Sequence, residues 1–261
     1  MGTNELGKFW TALLAFGVLA FLTLAGCSGG PITPQSSATY FLKVLAEKNL
    51  DSQADYLHVE FLRNDSAFAG AFVVVAGDTM RIRSTGAADT TYWFARWQHG
   101  HSVSVKAVDT ANAFQYTTSV VIPDSFGISN LIPNTHIWQP NKANPRIEWT
   151  ASSGAANYIA AIQARLPGSP SRGQSAVAGS ARAYTFTPNA FYNPQTNQLV
   201  PDVYYIHVIA YAPTFVRRPG ANYKVPSTPA FPLTINTEDI SGAVAAAVVS
   251  ARDTISVSLS L

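Results

Sequence analysis

From Tyr40 onward, for about two hundred residues, apolar side chains recur at every second position and no stretch repeats at the helical period. A period of two puts successive side chains on opposite faces of an extended strand, so one face packs and the other meets water. In the stretch from Ser102 to Val108, for example, Val103, Val105 and Ala107 face in while Ser102, Ser104 and Lys106 face out. The chain is therefore expected to be all-β. Cys27 is the only cysteine, so no disulfide within the chain supports the fold and stability must come from packed sheets. Charged residues make up 12% of the chain, against an ordinary quarter, and the net charge is +2. With no run of five like charges either, nucleic-acid binding has no support.

The N-terminus carries a different signal. Phe9 to Leu24 is an uncharged apolar run preceded by Lys8, and Leu24-Ala25-Gly26-Cys27 closes it with small residues before the lone cysteine. This resembles the lipobox of a bacterial lipoprotein. The resemblance implies that residues 1–26 are a signal peptide and that Cys27 becomes an acylated first residue. Three acyl chains, palmitate among them, would anchor the protein stably, which one chain does not. Ser28 after the cysteine implies the outer membrane rather than the inner one in a Gram-negative envelope. The alternative is an uncleaved membrane anchor, for which residues 9–26 are near the lower length limit. Residues 27–39 are uncharged and rich in Ser, Gly and Pro, as a flexible tether would be.

A first block, residues 40–125, has strand candidates at Tyr40–Leu45, Tyr56–Leu62, Ala71–Ala76, Met80–Arg83, Tyr92–Trp97, Ser102–Val108 and Phe114–Ile122. Gly77-Asp78 and Gly100 mark turns between them. Seven short strands at about ten-residue spacing fit a β-sandwich, here immunoglobulin-like or carboxypeptidase-regulatory-like. In Tyr92–Trp97 rings occur on both faces, which suits a central strand or one lying under a loop.

Pro123-Asp124-Ser125-Phe126-Gly127 ends a strand and opens a second block, residues 126–236. Three of its pieces stand out: Ile147-Glu148-Trp149-Thr150 with Tyr158 beyond it, Tyr184-Thr185-Phe186-Thr187-Pro188, and the run from Tyr204 to Tyr211. They resemble a fibronectin type III domain. The resemblance implies a core Trp149 on the second strand facing Tyr158 at the start of the third. It also implies a late strand with Tyr204, Ile206, Val208 and Ala210 on its buried face. Residues 237–261 form a terminal segment expected to pack on one of the sandwiches. Thr254 to Leu261 alternates strictly, whereas Gly242–Ala251 reads either as a short helix or as a strand of small residues. The expected fold is thus two tandem β-sandwich domains, the first immunoglobulin-like and the second fibronectin type III-like.

Chemistry is sparse. No Gly-x-Gly occurs, and the only Gly-Lys lies at Gly7-Lys8, inside the signal peptide, so nucleotide binding is unsupported. No Ser stands three residues before a Lys. The best metal candidate is His99-Gly100-His101 with Asp89 or His58 as a third ligand, but a turn at Gly100 flanked by exposed imidazoles is the favoured reading. His207 falls on the face of its strand opposite the core set. Asp51, Asp55, Glu60 and Asp65 read as solvated loop charges rather than a paired acid and base. Trp93, Trp97, Trp138, Tyr192, Tyr205 and Tyr211 are core residues by default, although exposed rings among them would suit sugar stacking. Two loops exceed what a compact sandwich needs, Pro188–Gln198 and Ala212–Pro229. The second carries Arg217, Arg218, Tyr223 and Lys224 among four prolines and is the candidate recognition loop. No catalytic, cofactor-binding or metal residues are assigned and no cofactor is expected. The function expected is a membrane-anchored, non-catalytic binding or assembly module of the cell envelope, with an envelope protein or a glycan as partner. A carbohydrate-active enzyme or accessory protein is the alternative.

Overall fold

The computed structural model describes residues 39–166, 172–213, 235–236 and 239–259, with the strands at 172–178 and 235–236 described by backbone alone. They fall within one compact unit, Thr39–Leu261. The protein is an all-β sandwich structure: the described residues hold no α-helix and only one 3-10 turn, at Pro188–Phe191.

The first block contains β1 (Tyr40–Asn49), β2 (Asp55–Arg63), β3 (Ala71–Val75), β4 (Asp78–Arg81), β5 (Ala87–Tyr92), β6 (Ser102–Asp109) and β7 (Phe114–Val121). Strands β1, β2 and β5 share one sheet, and β4, β3, β6 and β7 form a second in that order. Rings close the space between them. Tyr40 of β1 stacks on Phe114 of β7 with centroids 3.8 Å apart, and Phe61 and Phe68 complete the cluster. The Tyr40 hydroxyl donates to the buried Asp109 carboxylate, which also accepts from Arg63 and from the turn at Ala111 and Asn112. Strand β6 alternates as its sequence requires, with Val103, Val105 and Ala107 buried.

One expected strand is misplaced. The strand is Ala87–Tyr92, not Tyr92–Trp97, and the chain leaves the sheet after Tyr92. The backbone N–H groups of Arg96 and Trp97 donate to a carboxylate, that of Asp55, instead of to a neighbouring strand. Rings on both faces thus mark a bend, not a central strand.

The second block contains β8 (Ile128–Ile132), β9 (Ile137–Trp138), β10 (Arg146–Trp149), β11 (Asn157–Ala164), β12 (Arg172–Ala178), β13 (Ala183–Thr185) and β14 (Val203–Ala212). After it come β15 (Ile235–Asn236), β16 (Ile240–Val249) and β17 (Asp253–Val257). Strands β13, β10 and β8 form a small sheet facing β12, β11 and β14. Trp149 on β10 meets Tyr158 on β11 at 5.5 Å between centroids, as the fibronectin type III resemblance implies. Tyr204, Ile206, Val208 and Ala210 are all buried on β14. The segment from Gly242 is strand, and periodicity was silent because Ala and Val fill both buried faces of β16.

The terminal segment completes the second sandwich and also joins it to the first. Its β16 and β17 both pair antiparallel with β14, and a bulge at Ser250 lets each take one half of that strand. The Ser250 hydroxyl accepts the Val208 N–H, and the Ser250 N–H donates to the Val208 carbonyl. Both blocks then sort their strands alike. The first, second and fifth pack against the third, fourth, sixth and seventh, with β16–β17 as seventh of the second block and the two-residue β9 and β15 set aside. A boundary after residue 236 therefore does not separate this segment from the second sandwich. Along its other edge β16 runs parallel to β1 over ten paired residues, from Tyr40↔Ile240 to Asn49↔Val249. One continuous sheet thus runs β12-β11-β14-β16-β1-β2-β5 through both sandwiches. Gly242 permits this approach, because its φ is +144° and a Cβ there would collide with the Leu42 carbonyl. One face of the seam carries a buried apolar cluster that includes Leu45, Ala245, Ala247, Val249, Ile209 and Tyr211.

Candidate functional site

Where β5 ends, residues 93–95 bulge outward between two clamped ends. On one side the Tyr92 hydroxyl and Arg96 Nε both donate to Asp78 Oδ2, at 2.8 and 3.0 Å, and Arg96 Nη2 donates to the Ala76 carbonyl at 2.7 Å. On the other, Asp55 Oδ2 accepts the N–H groups of Arg96 and Trp97 at 2.5 and 2.6 Å. Lys48 Nζ donates to the Trp97 carbonyl at 2.9 Å and lies 3.9 Å from Asp55 Oδ1. Burial, then the bond to Asp78, pushes the Tyr92 phenol up to about 12, which keeps it protonated as a donor. The buried Trp97 ring packs edge-on against Tyr92, and the Arg96 guanidinium lies over both rings. Held in this way, Trp93 and Phe94 project into solvent, 83% and 66% exposed.

The bend faces the β1–β2 turn, and together they enclose an open groove of about 560 Å³, lined by Lys48, Asn49, Leu50, Ser52, Gln53, Asp55, Trp93, Phe94 and Ala95. The turn is equally organised. Asn49 Oδ1 accepts the N–H groups of Asp51 and Ser52, the Ser52 hydroxyl accepts that of Ala54, and Gln53 sits at a φ of +57°. The outward-facing groups of the groove are two rings, amides, a hydroxyl and the smaller apolar side chains of Leu50 and Ala95. Its one cation and one carboxylate are engaged with each other and with backbone.

Among the sequence-derived candidates, only Trp93 and Asp55 belong to this groove. Asp55 corrects the expectation of a solvated loop charge: it is 1% exposed and organises the bend. Trp97, Trp138 and Tyr211 are core residues, while Tyr192 and Tyr205 are half-buried. The long Pro188–Gln198 loop is partly core, since Phe191 stacks on Trp138 and meets Tyr204. His58 and Asp89 do meet, at 2.7 Å, with the Tyr56 hydroxyl on the same oxygen. Burial pushes the Asp89 carboxyl up, but these two bonds outweigh it and hold it below the usual range. His99 lies apart from that pair, bonded to the Pro123 carbonyl, beside an exposed His101. Among the described residues, no three His, Cys, Asp or Glu side chains converge as metal ligands. His207 does lie opposite the core set, near Asp51 at 3.5 Å, and it is buried rather than at the surface. Glu60 is half-buried and Asp65 exposed. Cys27 and the loop residues Arg217, Arg218, Tyr223 and Lys224 lie outside the described residues.

Sequence reasoning did not single out Glu47, which is 1% exposed with neither carboxylate oxygen hydrogen-bonded. Burial and then the nearby Asp55 raise its carboxyl to about 8. Alternation on β1 sets Glu47 on the face of Lys43, opposite Leu42, Val44 and Ala46, so the strand pattern reads it as an outward charge, and its burial comes with β16, whose Ala247 pairs with it.

No family model matches the chain, and no curated protein matches it in sequence. Solved domains similar to the chain include two sets of fibronectin-type modules. The FN1–FN3 domains of chicken CNTN1 give a TM-score of 0.25 at 10% identity, covering 82% of this chain and 63% of that one. The chain thus spans less than two thirds of that relative's length. Fibronectin(III)-like modules of Clostridium thermocellum CbhA give 0.27 at 9% identity, covering 85% and 94%. The assignment of an immunoglobulin-like and fibronectin type III-like fold rests on the sheet topology.

Proposed function

We propose that this protein is a lipid-anchored, non-catalytic binding module of the cell envelope, which presents the Trp93–Phe94 groove to a partner. The observation that carries the reading is the rigid display of two exposed rings. A bend left free would fold them onto the protein, since burying a side chain of this size is worth about 1.5–3 kcal/mol. Here five hydrogen bonds through Asp55, Asp78 and Lys48 hold the ends of the bend instead. Exposed aromatic residues on a preorganised loop are a common form of recognition surface. The anchor is supported by the Leu24-Ala25-Gly26-Cys27 lipobox and the uncharged tether after it. In a Gram-negative envelope Ser28 favours the outer membrane.

Two measurements test this. The Cys27→Ala variant, expressed in a bacterium with lipoprotein processing, is expected to leave the membrane fraction or to persist there only as uncleaved precursor. The mass of the mature N-terminus separates those outcomes, and an unacylated wild-type N-terminus defeats the anchor. For the site, the full chain in detergent is used to capture partners from envelope extract beside Trp93→Ala/Phe94→Ala and a deletion of residues 214–228. Loss in the aromatic variant alone supports the groove. Loss in the deletion alone moves the site to the loop of Arg217, Arg218, Tyr223 and Lys224.

A further inference from the structure

We infer that the groove between the β1–β2 turn and the Trp93–Phe94 bend is a binding site for an uncharged polysaccharide chain. This rests on the reading of the protein as a binding module and names its ligand class.

The argument is one of complementarity. An acidic ligand requires a free cation, but Lys48 is spent on the Trp97 carbonyl and on Asp55. A basic ligand requires a free carboxylate, but Asp55 is buried and accepts two backbone N–H groups. The lining therefore offers no unspent charge. What it does offer suits hydroxyl groups, which both donate and accept. The Asn49 side-chain carbonyl is used within the turn, so its amide N–H groups remain to donate. The Ser52 oxygen accepts the Ala54 N–H, so its proton remains to donate. Among the described residues Gln53 makes no side-chain hydrogen bond, and its amide offers both donors and an acceptor. Trp93 and Phe94 supply flat apolar surfaces for the C–H faces of sugar rings.

Size and shape agree with a chain rather than a single sugar. A volume of about 560 Å³ falls within the ~300–1,000 Å³ of small-molecule sites. The groove is open, and two adjacent exposed rings line it. A protein-docking surface would surround such rings with further exposed apolar area. Here the neighbours are amides, a hydroxyl, Leu50 and the single methyl of Ala95.

The test is affinity electrophoresis of the detergent-solubilised full chain in native gels containing hydroxyethylcellulose, glucomannan or laminarin. Dextran sulfate serves as a charged comparator. At least one neutral polymer is expected to retard the wild type. Trp93→Ala is expected to weaken that interaction roughly tenfold or more, and Trp93→Tyr to retain most of it. Because Trp93 is exposed, the thermal midpoint of both variants should match the wild type, and that match shows that folding is not the cause. The inference is overturned if no neutral polymer retards the protein, if retardation survives in Trp93→Ala/Phe94→Ala, or if only dextran sulfate acts. Should the polymers fail while that double variant still loses envelope partners, the ligand class is wrong and the binding module stands. Failure of both removes the binding reading as well.

Discussion

Asp55 shows how one carboxylate positions a site without touching a ligand. It replaces a strand partner for two consecutive N–H groups, so the chain turns out of the sheet at Trp93. Asp55→Ala would leave those buried donors unpaired, and a loss of about 2–4 kcal/mol is expected in urea unfolding, together with loss of polymer binding. Unchanged stability would show that the bend is held by other means. Glu47 makes a second prediction. Its carboxyl titrates near 8 in the fold and near its ordinary value when unfolded, so the folded form binds the proton more tightly. Stability is then complete in acid, is lost as pH rises from about 4.5 to about 8, and is level above that. The loss is of order a few kcal/mol, and Glu47→Gln should abolish this part of the pH profile of the thermal midpoint. His207 acts on the other side. Burial lowers its imidazole below the ordinary 6.5, against the opposing pull of Asp51. Its contribution is present above 6.5 and is lost as pH falls below that value, a limb that His207→Gln should remove.

At the scale of elements, the parallel pairing of β1 with β16 depends on a position without a side chain. Gly242 faces Leu42 across ten registered pairs, and a methyl group there would overlap the Leu42 backbone. Gly242→Ala is expected to destabilise the protein by about 2–4 kcal/mol and to speed hydrogen exchange of the β1 and β16 amides selectively. Uniform or unchanged exchange would mean that the seam can shift to accommodate it. The bulge at Ser250 is the other device at this level. It divides β14 between two partners, and Arg252 just beyond it reaches Asp51 at 3.0 Å and lies over the Tyr205 ring. The turn that supplies Asn49 and Ser52 to the groove is thereby tied to the second sandwich.

For the whole molecule, a shared sheet changes what counts as a domain. Two sandwiches on a linker would unfold as separate units, whereas these two are joined by ten ladder pairs and a buried cluster across the seam. Calorimetry is expected to give one cooperative transition for the full chain. Two resolved transitions would contradict it. Removing residues 240–259 should unfold the second sandwich and not merely trim it, because β14 and β1 would both lose a partner along their length.

The all-β class was legible in the sequence, because an alternating strand must bury one face wherever it lies. The fibronectin type III resemblance also placed Trp149 against Tyr158 and Tyr204 on a buried face, as the structure has them. Local pattern says which way a side chain faces. It does not say which strand lies next to it. That is why β16 stayed ambiguous until its two neighbours were known, and why Asp55 and Glu47 looked like ordinary charges. Their burial comes from segments that tertiary pairing brings together, the 96–97 bend over Asp55 and β16 beside Glu47. The groove is decided in the same way, since the residues of its two halves are some forty positions apart in the chain and only the pairing of β5 with β2, which sets Tyr92 opposite Asp55, makes them neighbours.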